Sequence, residues 1–443
     1  MAMDKILLIG NGAREHVIAE TLAKSEKKPK IFSFMKSNNP GIISFSVKSM
    51  NGNYSDLDAI NNFAKENNID FAFIGPEEPL SNGVADSLHK IGIPSVGPKK
   101  ILAQLETSKS FTRELLSKHK IDGSPKFQVC KSRHDAERFI GELDESEQFV
   151  VKPDGLTGGK GVWVQGEHFQ EKKEGLRYAE EVFRHHKSVV IEEKLEGEEF
   201  SLMSFADGKN LFDFPPVQDH KRAFENDTGP NTGGMGSYSL DNHLLPFLTR
   251  KDIDDAHEIT RQVLHAISKE TGEPYKGVMY GGFMLTRNGV KLIEYNARLG
   301  DPEAMNVLPI LNNDLVELSY QVIEGKLNHA KPDFKQLSTV CKYAVPKGYP
   351  ENPVKNQKIE IGYHPEYASL YYAAVDKKPD GLYMTGSRAV AFVGIAQNIE
   401  DAERIAEECV SEVRGNVFHR RDIGTNALLM KRIEHMRKIR IEE

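Results

Sequence analysis

Between residue 5 and about residue 100, short apolar runs alternate with helical patterns: Ile6 to Ile9, Val17 to Ala23, Lys30 to Met35, Leu57 to Glu66, Phe71 to Gly75 and Val84 to Leu88. That alternation is the cadence of an α/β, doubly wound parallel sheet, because parallel strands need crossover helices that cover both faces. It fixes the fold class of the first hundred residues before any motif is considered.

The first turn of that sheet reads Gly10-Asn11-Gly12-Ala13-Arg14-Glu15-His16. Its glycine spacing invites comparison with a dinucleotide fingerprint, but Glu15 stands where the third glycine belongs. The second run ends in Lys36-Ser37 rather than in an acid able to hold a ribose, so a dinucleotide-dependent oxidoreductase is the weakest reading. A phosphate at the helix N-terminus remains open, with Arg14 as its charge partner.

At 443 residues the chain exceeds what one core can serve, and two to four domains are expected. The 58 Lys+Arg against 65 Asp+Glu leave a net charge of -7, which argues against nucleic acid or an anionic membrane as the main partner. Cys130, Cys341 and Cys409 are far apart and odd in number, which fits a reducing compartment and excludes a disulfide frame. The apolar start is too short for a signal peptide and no run approaches a membrane span, so a soluble, cytoplasmic protein is expected.

A domain boundary is expected near 105, giving an N-terminal α/β domain at 1–105. Residues 106–330 form a central domain with a small lid of about 122–196, and 331–443 a small α+β end domain. In the centre, Phe149 to Lys152 reads as a buried strand, followed by Asp154-Gly155-Leu156-Thr157-Gly158-Gly159-Lys160-Gly161 and a return strand Val162 to Val164. This glycine-rich hairpin is not a Walker A loop, since no Gly-Lys-Ser/Thr occurs and a strand follows. Val189 to Ile191 then runs into Glu192-Glu193-Lys194-Leu195-Glu196-Gly197-Glu198-Glu199, an acid-ended strand able to offer backbone groups to a purine and a carboxylate to a ribose.

Asn288-Gly289 signals a β-hairpin; a three-residue loop, Arg287 to Gly289, would set Gly282 opposite Glu294. On the second arm, Glu294 and Asn296 share a face and aim two hard oxygen donors the same way, the minimum that a Mg²⁺ site needs from protein. Two polar loops complete the inventory. They are Asp219-His220-Lys221-Arg222 with Asp227-Thr228-Gly229-Pro230-Asn231-Thr232-Gly233-Gly234-Met235-Gly236, and Asn296-Ala297-Arg298-Leu299-Gly300-Asp301-Pro302-Glu303. Charged and amide groups among glycines bury little apolar surface and present backbone N–H groups, which suits a polyanion.

Together these segments resemble the ATP-grasp superfamily and, within it, the phosphoribosylamine-glycine ligase family. The resemblance runs through the segments 10–16, 75–80, 152–161, 191–199, 219–236 and 294–303 to Arg421-Asp422-Ile423-Gly424, and so covers nearly the whole chain. It implies ATP-dependent ligation of glycine to 5-phosphoribosylamine through glycyl phosphate. Lys109 and Lys152 would reach the ATP phosphates under the lid residues Gly158, Gly159, Lys160 and Gly161. Glu192, Glu193 and Leu195 would meet adenine through backbone, and Glu199 the ribose. Glu294 and Asn296 would hold Mg²⁺ or Mn²⁺. Arg298 and Asp219 would take the glycine carboxylate and ammonium. Gly12, Arg14, Glu15, Lys221, Pro230, Asn231, Thr232, Gly300 and Asp301 would complete the substrate site. The resemblance also implies a monomer whose partners are small molecules only.

The chain departs from the family pattern at Ala13, at Thr157-Gly158, at Gly386-Ser387-Arg388 and at Gly282, where some relatives carry a metal-binding amide. Another ATP-grasp carboxylate-amine ligase, or a nucleotide-binding regulator without turnover, are the alternatives.

Overall fold

In the computed structural model, which describes residues 3–144, 146–156 and 161–441, the N-terminal strands form one five-stranded parallel sheet. Its order is Ser46–Asn51, Lys30–Met35, Lys5–Ile9, Phe71–Ile74 and Ser95–Val96. Ile6 and Leu8 join one hydrophobic cluster with Val17, Leu22 and Phe71, while Leu7 and Ile9 join another with Phe34, Phe63 and Leu88. Successive side chains of a strand point to opposite faces, so the uninterrupted apolar run is what a sheet covered on both sides requires. The edge strand Ser46–Asn51 is half-buried only at Ser46 and exposed thereafter, and its residues carry no apolar signal from which it could be read.

A second, antiparallel sheet runs Leu211–Asp213, Gly197–Asp207, Lys276–Thr286, Gly289–Asn296. It packs beside the long helix Arg250–Thr271, which Thr249 and Asp252 cap reciprocally. Gly282 does face Glu294, but by another route than a three-residue loop. Thr286 pairs with Gly289 across the two-residue turn Arg287-Asn288, and a bulge at Ile293 supplies the extra residue before Glu294.

The region expected as a lid contains a four-stranded antiparallel sheet, Phe127–Cys130, Val189–Glu193, Phe149–Pro153 and Trp163–Val164, with its own core of Phe149, Val151, Ile191 and Phe139. The C-terminal strands Ser338–Pro346, Val390–Ala396 and Ser369–Tyr372 extend a sheet that Gln218–Asp219 and Gly236–Ser239 begin. The segment 218–239 is therefore gripped from the C-terminal side. All three cysteines are free and buried. Among the described residues no helix is long and apolar enough to cross a membrane.

Candidate active site

The parallel sheet, the antiparallel sheet, the lid and the C-terminal strands enclose a cleft of about 1300 Å³. Of the residues singled out from sequence, Arg14, Lys109, Lys152, Glu192, Glu199, Asp219, Lys221, Asn231, Thr232, Glu294, Asn296, Arg298 and Asp301 line it. Gly158, Gly159 and Lys160 lie outside the described residues. Gly12, Glu15, Gly161, Glu193, Leu195, Pro230 and Gly300 are not on its wall.

Glu15 does not line the cleft with its side chain. It sits at the third position of the helix Ala13–Ala23, where its Oε2 accepts the Gly12 N–H at 2.6 Å and its Oε1 accepts Arg14 Nε at 2.6 Å. Capping turns the carboxylate inward, and its role is to hold the loop and Arg14 in place. Gly10, at φ +134°, must be glycine here, since a Cβ would fall 2.3 Å from Glu15 Cγ.

At one end of the cleft, Lys109 opens the helix Lys109–His119, whose N-cap Ser108 accepts the Phe111 N–H. Asp154 fastens the same turn, accepting from Ser110 N at 3.2 Å and Ser188 Oγ at 2.9 Å. Burial would raise that carboxyl, but the serine hydrogen bonds hold it below the usual range. Lys109 Nζ reaches the Gly155 carbonyl at 2.9 Å, and Lys152 Nζ the Glu192 carboxylate at 2.6 Å. Burial pulls Lys109 down, with Glu294 opposing. Burial would lift Glu192, yet Arg113 and Lys152 bring it down to about 2. Lys221 pairs with Glu199 at 2.9 Å, and this contact, against burial, pushes the lysine well up.

Glu294 has four cations in range, Lys221, Lys109, Lys152 and Arg298. Burial would raise its carboxyl, and their combined field holds it low. No hydrogen bond or ion pair engages that carboxylate among the described residues, while Asn296 Oδ1 accepts Arg298 Nη2 at 3.0 Å. A free anionic oxygen pair beside an amide oxygen fits a hard divalent cation that takes its remaining ligands from water and phosphate. Among the described residues no cluster of three or more His, Cys, Asp and Glu offers an alternative metal site.

The acceptor side is arranged differently. Asp219 Oδ1 and Arg298 Nε are buried without a hydrogen bond among the described residues. Arg298 Nη2 lies 3.2 Å from Glu106 Oε1, and its Nε lies 3.5 Å from Glu77 Oε2. Asp219 is pushed well up by burial and by the charge of Glu303, with Lys221 and Arg388 opposing. A buried carboxylate short of a donor and a guanidinium short of an acceptor can accept the two ends of a small zwitterion.

Several wall residues had not been assigned from sequence. Glu77, in the 75–80 segment, faces Arg298; Tyr280 donates to Glu303 at 2.5 Å; and Arg388 donates to the carbonyls of Gly233, Gly234 and Asp301. Asp301 is held on both oxygens, by Tyr343 at 2.5 Å and Arg388 at 3.2 Å, so its carboxylate fastens the C-terminal sheet to the site. The Gly386-Ser387-Arg388 turn was the available signal for that clamp.

Three family models match in succession: the phosphoribosylglycinamide synthetase N domain over 4–106, its ATP-grasp (A) domain over 107–304 and its C domain over 339–426. A phosphoribosylamine--glycine ligase of Methanocaldococcus jannaschii is 49% identical over 444 residues, covering 98% of this chain and 100% of the relative. The corresponding protein of Methanocella arvoryzae is 48% identical over 436 residues, again covering 98% and 100%. The crystal structure of phosphoribosylamine--glycine ligase from Thermotoga maritima superimposes with a TM-score of 0.79 at 27% identity, covering 94% of this chain and 99% of that one.

Proposed function

The chain belongs to the phosphoribosylglycinamide synthetase family, and from that premise we propose that its cleft ligates glycine to 5-phosphoribosylamine with ATP as the energy source. A glycine carboxylate oxygen attacks the γ-phosphorus and ADP leaves. The amine then attacks the carbonyl of glycyl phosphate, loses a proton, and phosphate departs to give glycinamide ribonucleotide. The observation that carries this reading is the presence, in one cleft, of a buried Asp219 Oδ1 and an Arg298 Nε that make no hydrogen bond among the described residues. A nucleotide sensor needs no such zwitterion seat.

The chemistry asks for alignment and charge neutralisation more than for a base. Lys109 and Lys152 exchange their internal partners for phosphate oxygens. The strand end at Glu192 supplies backbone to adenine, and Glu199 supplies a carboxylate to the ribose. Arg298 holds the acceptor carboxylate and Asp219 the ammonium. Arg14, with Asn231 and Thr232, receives the phosphoribosylamine. Glu294 and Asn296 hold Mg²⁺ or Mn²⁺, which when bound neutralises phosphate charge.

ADP release by the purified protein with ATP and Mg²⁺ tests the reading, with glycine and phosphoribosylamine added separately and together. Release that requires both, with glycinamide ribonucleotide in equal amount, is expected. Nucleotide binding without turnover would sink the ligase reading in favour of a sensor.

A further inference from the structure

One buried arginine touches both halves of the nucleotide side. Arg113, in the helix Lys109–His119, donates from Nε to Glu192 Oε1 at 2.7 Å and from Nη2 to Glu192 Oε2 at 3.0 Å. The same Nη2 donates at 2.7 Å to the carbonyl of Ile293. Glu192 Oε2 in turn holds Lys152. Ile293 is the bulge residue, without a partner opposite it, and stands directly before Glu294. The Arg113 and Glu192 side chains are 3% and 4% exposed, a depth at which an ion pair persists only with the hydrogen bonds seen here. Structural pairing alone would leave both arms on scaffold. Here one arm ends on the partner of an ATP-facing lysine and the other on the residue preceding the metal-facing carboxylate. Arg113 also lines the cleft with its Nη1 buried and unpartnered among the described residues.

We infer that Arg113 is a positioning residue that couples the phosphate-binding lysine to the metal-binding carboxylate, orienting Lys152 through Glu192 and Glu294 through the Ile293 carbonyl. The inference rests on the reading of the cleft given above. Its physical logic lies in the exchange Lys152 must make. When phosphates draw the lysine away, Glu192 would remain as a lone buried anion, and the bidentate arginine keeps it neutralised. Lysine at 113 would keep the charge but could not reach both Glu192 oxygens and a carbonyl together.

The test is calorimetric titration of the full chain with ADP at a series of Mg²⁺ concentrations, with thermal melts to verify folding. Arg113→Met is expected to weaken ADP binding roughly 10- to 100-fold and to raise the Mg²⁺ needed for half-maximal binding. Glu192→Gln is expected to weaken ADP binding while leaving the Mg²⁺ requirement near that of the parent, because the Ile293 contact remains. Arg113→Lys should recover part of the ADP affinity and not the Mg²⁺ requirement. Unchanged ADP affinity and Mg²⁺ requirement in Arg113→Met would overturn the proposal, as would an equal Mg²⁺ shift in Glu192→Gln. Should Arg113→Met not fold, an unaltered Mg²⁺ requirement in Arg113→Lys overturns it equally. A parent chain that binds ADP with Mg²⁺ but makes no glycinamide ribonucleotide would break the ligase reading and leave the coupling to be judged on these titrations.

Discussion

On the side of the cleft proposed for the nucleotide the charges already have partners: the buried Arg113 and Lys152 share Glu192, and the partly exposed Lys221 pairs with Glu199. On the side proposed for the acceptor, Asp219 Oδ1 and Arg298 Nε make no hydrogen bond among the described residues, although Arg298 lies in ion-pair range of Glu77 and Glu106. A ligand entering the first region must displace existing contacts, so its net gain is a difference of interactions. A ligand entering the second completes groups that already carry a desolvation cost of about 1–3 kcal/mol each. The first region is thus an exchange site, while the second offers polar atoms still short of a hydrogen bond. Discrimination among acceptor acids should therefore arise around Asp219 and Arg298 rather than around the lysines.

Glu294 tests that contrast most severely, because it lies on the side proposed for the nucleotide yet has no hydrogen bond or ion pair among the described residues. Glu294→Gln should abolish turnover, a fall of roughly a thousandfold or more, with the melting temperature nearly unchanged. Near-normal turnover in a steady-state assay would remove residue 294 from the metal site. Arg298→Ala comes next. The apparent glycine requirement should rise about 10- to 100-fold while that for ATP moves little, and equal rises would place the guanidinium on phosphate instead.

The smallest effect concerns stability. The Asp219 carboxyl is raised in the folded state by burial first and Glu303 second, so folding favours its protonated form. Its contribution is then favourable at low pH and lost as pH rises through the raised value, which makes the anion a destabilising group at pH 7. Asp219→Asn should accordingly raise the melting temperature by about 1–2 °C at pH 7 and by less at pH 4, while impairing glycine use. In the parent, glycine should bind less well as pH falls and Asp219 takes up a proton. A lower melting temperature for the variant at pH 7 would mean the carboxylate is paired after all, and the contrast between the two regions would fail.

How much of this was legible in residue order depends on the range of the interaction. The helix Leu57–Glu66 and the strand Phe71–Ile74 follow from local apolar pattern. Strand Ser46–Asn51 does not, since an exposed edge strand needs no apolar alternation and is defined by its neighbour at 30–35. The register of Gly282 against Glu294 was right although the turn was not, because a bulge and a longer loop shift a hairpin by the same single residue. Arg388 and Tyr343, more than 40 residues beyond Asp301, could be connected to it only by folding.

Sequence alone determined the parallel N-terminal sheet, the polar loops and the kind of donor each carries, because backbone periodicity and side-chain chemistry are properties of neighbours in the chain. Tertiary structure decided which of those donors are already paired. Glu15 and Glu192 are both acids in ligand-like motifs, yet one is turned inward by a helix cap and the other neutralised by an arginine from a different element. Glu294, equally polar in the sequence, has no hydrogen bond or ion pair on its carboxylate among the described residues and sits in the field of four cations. Whether a buried charge is scaffold or site depends on what stands within about 4 Å of it, and only the fold brings those groups together.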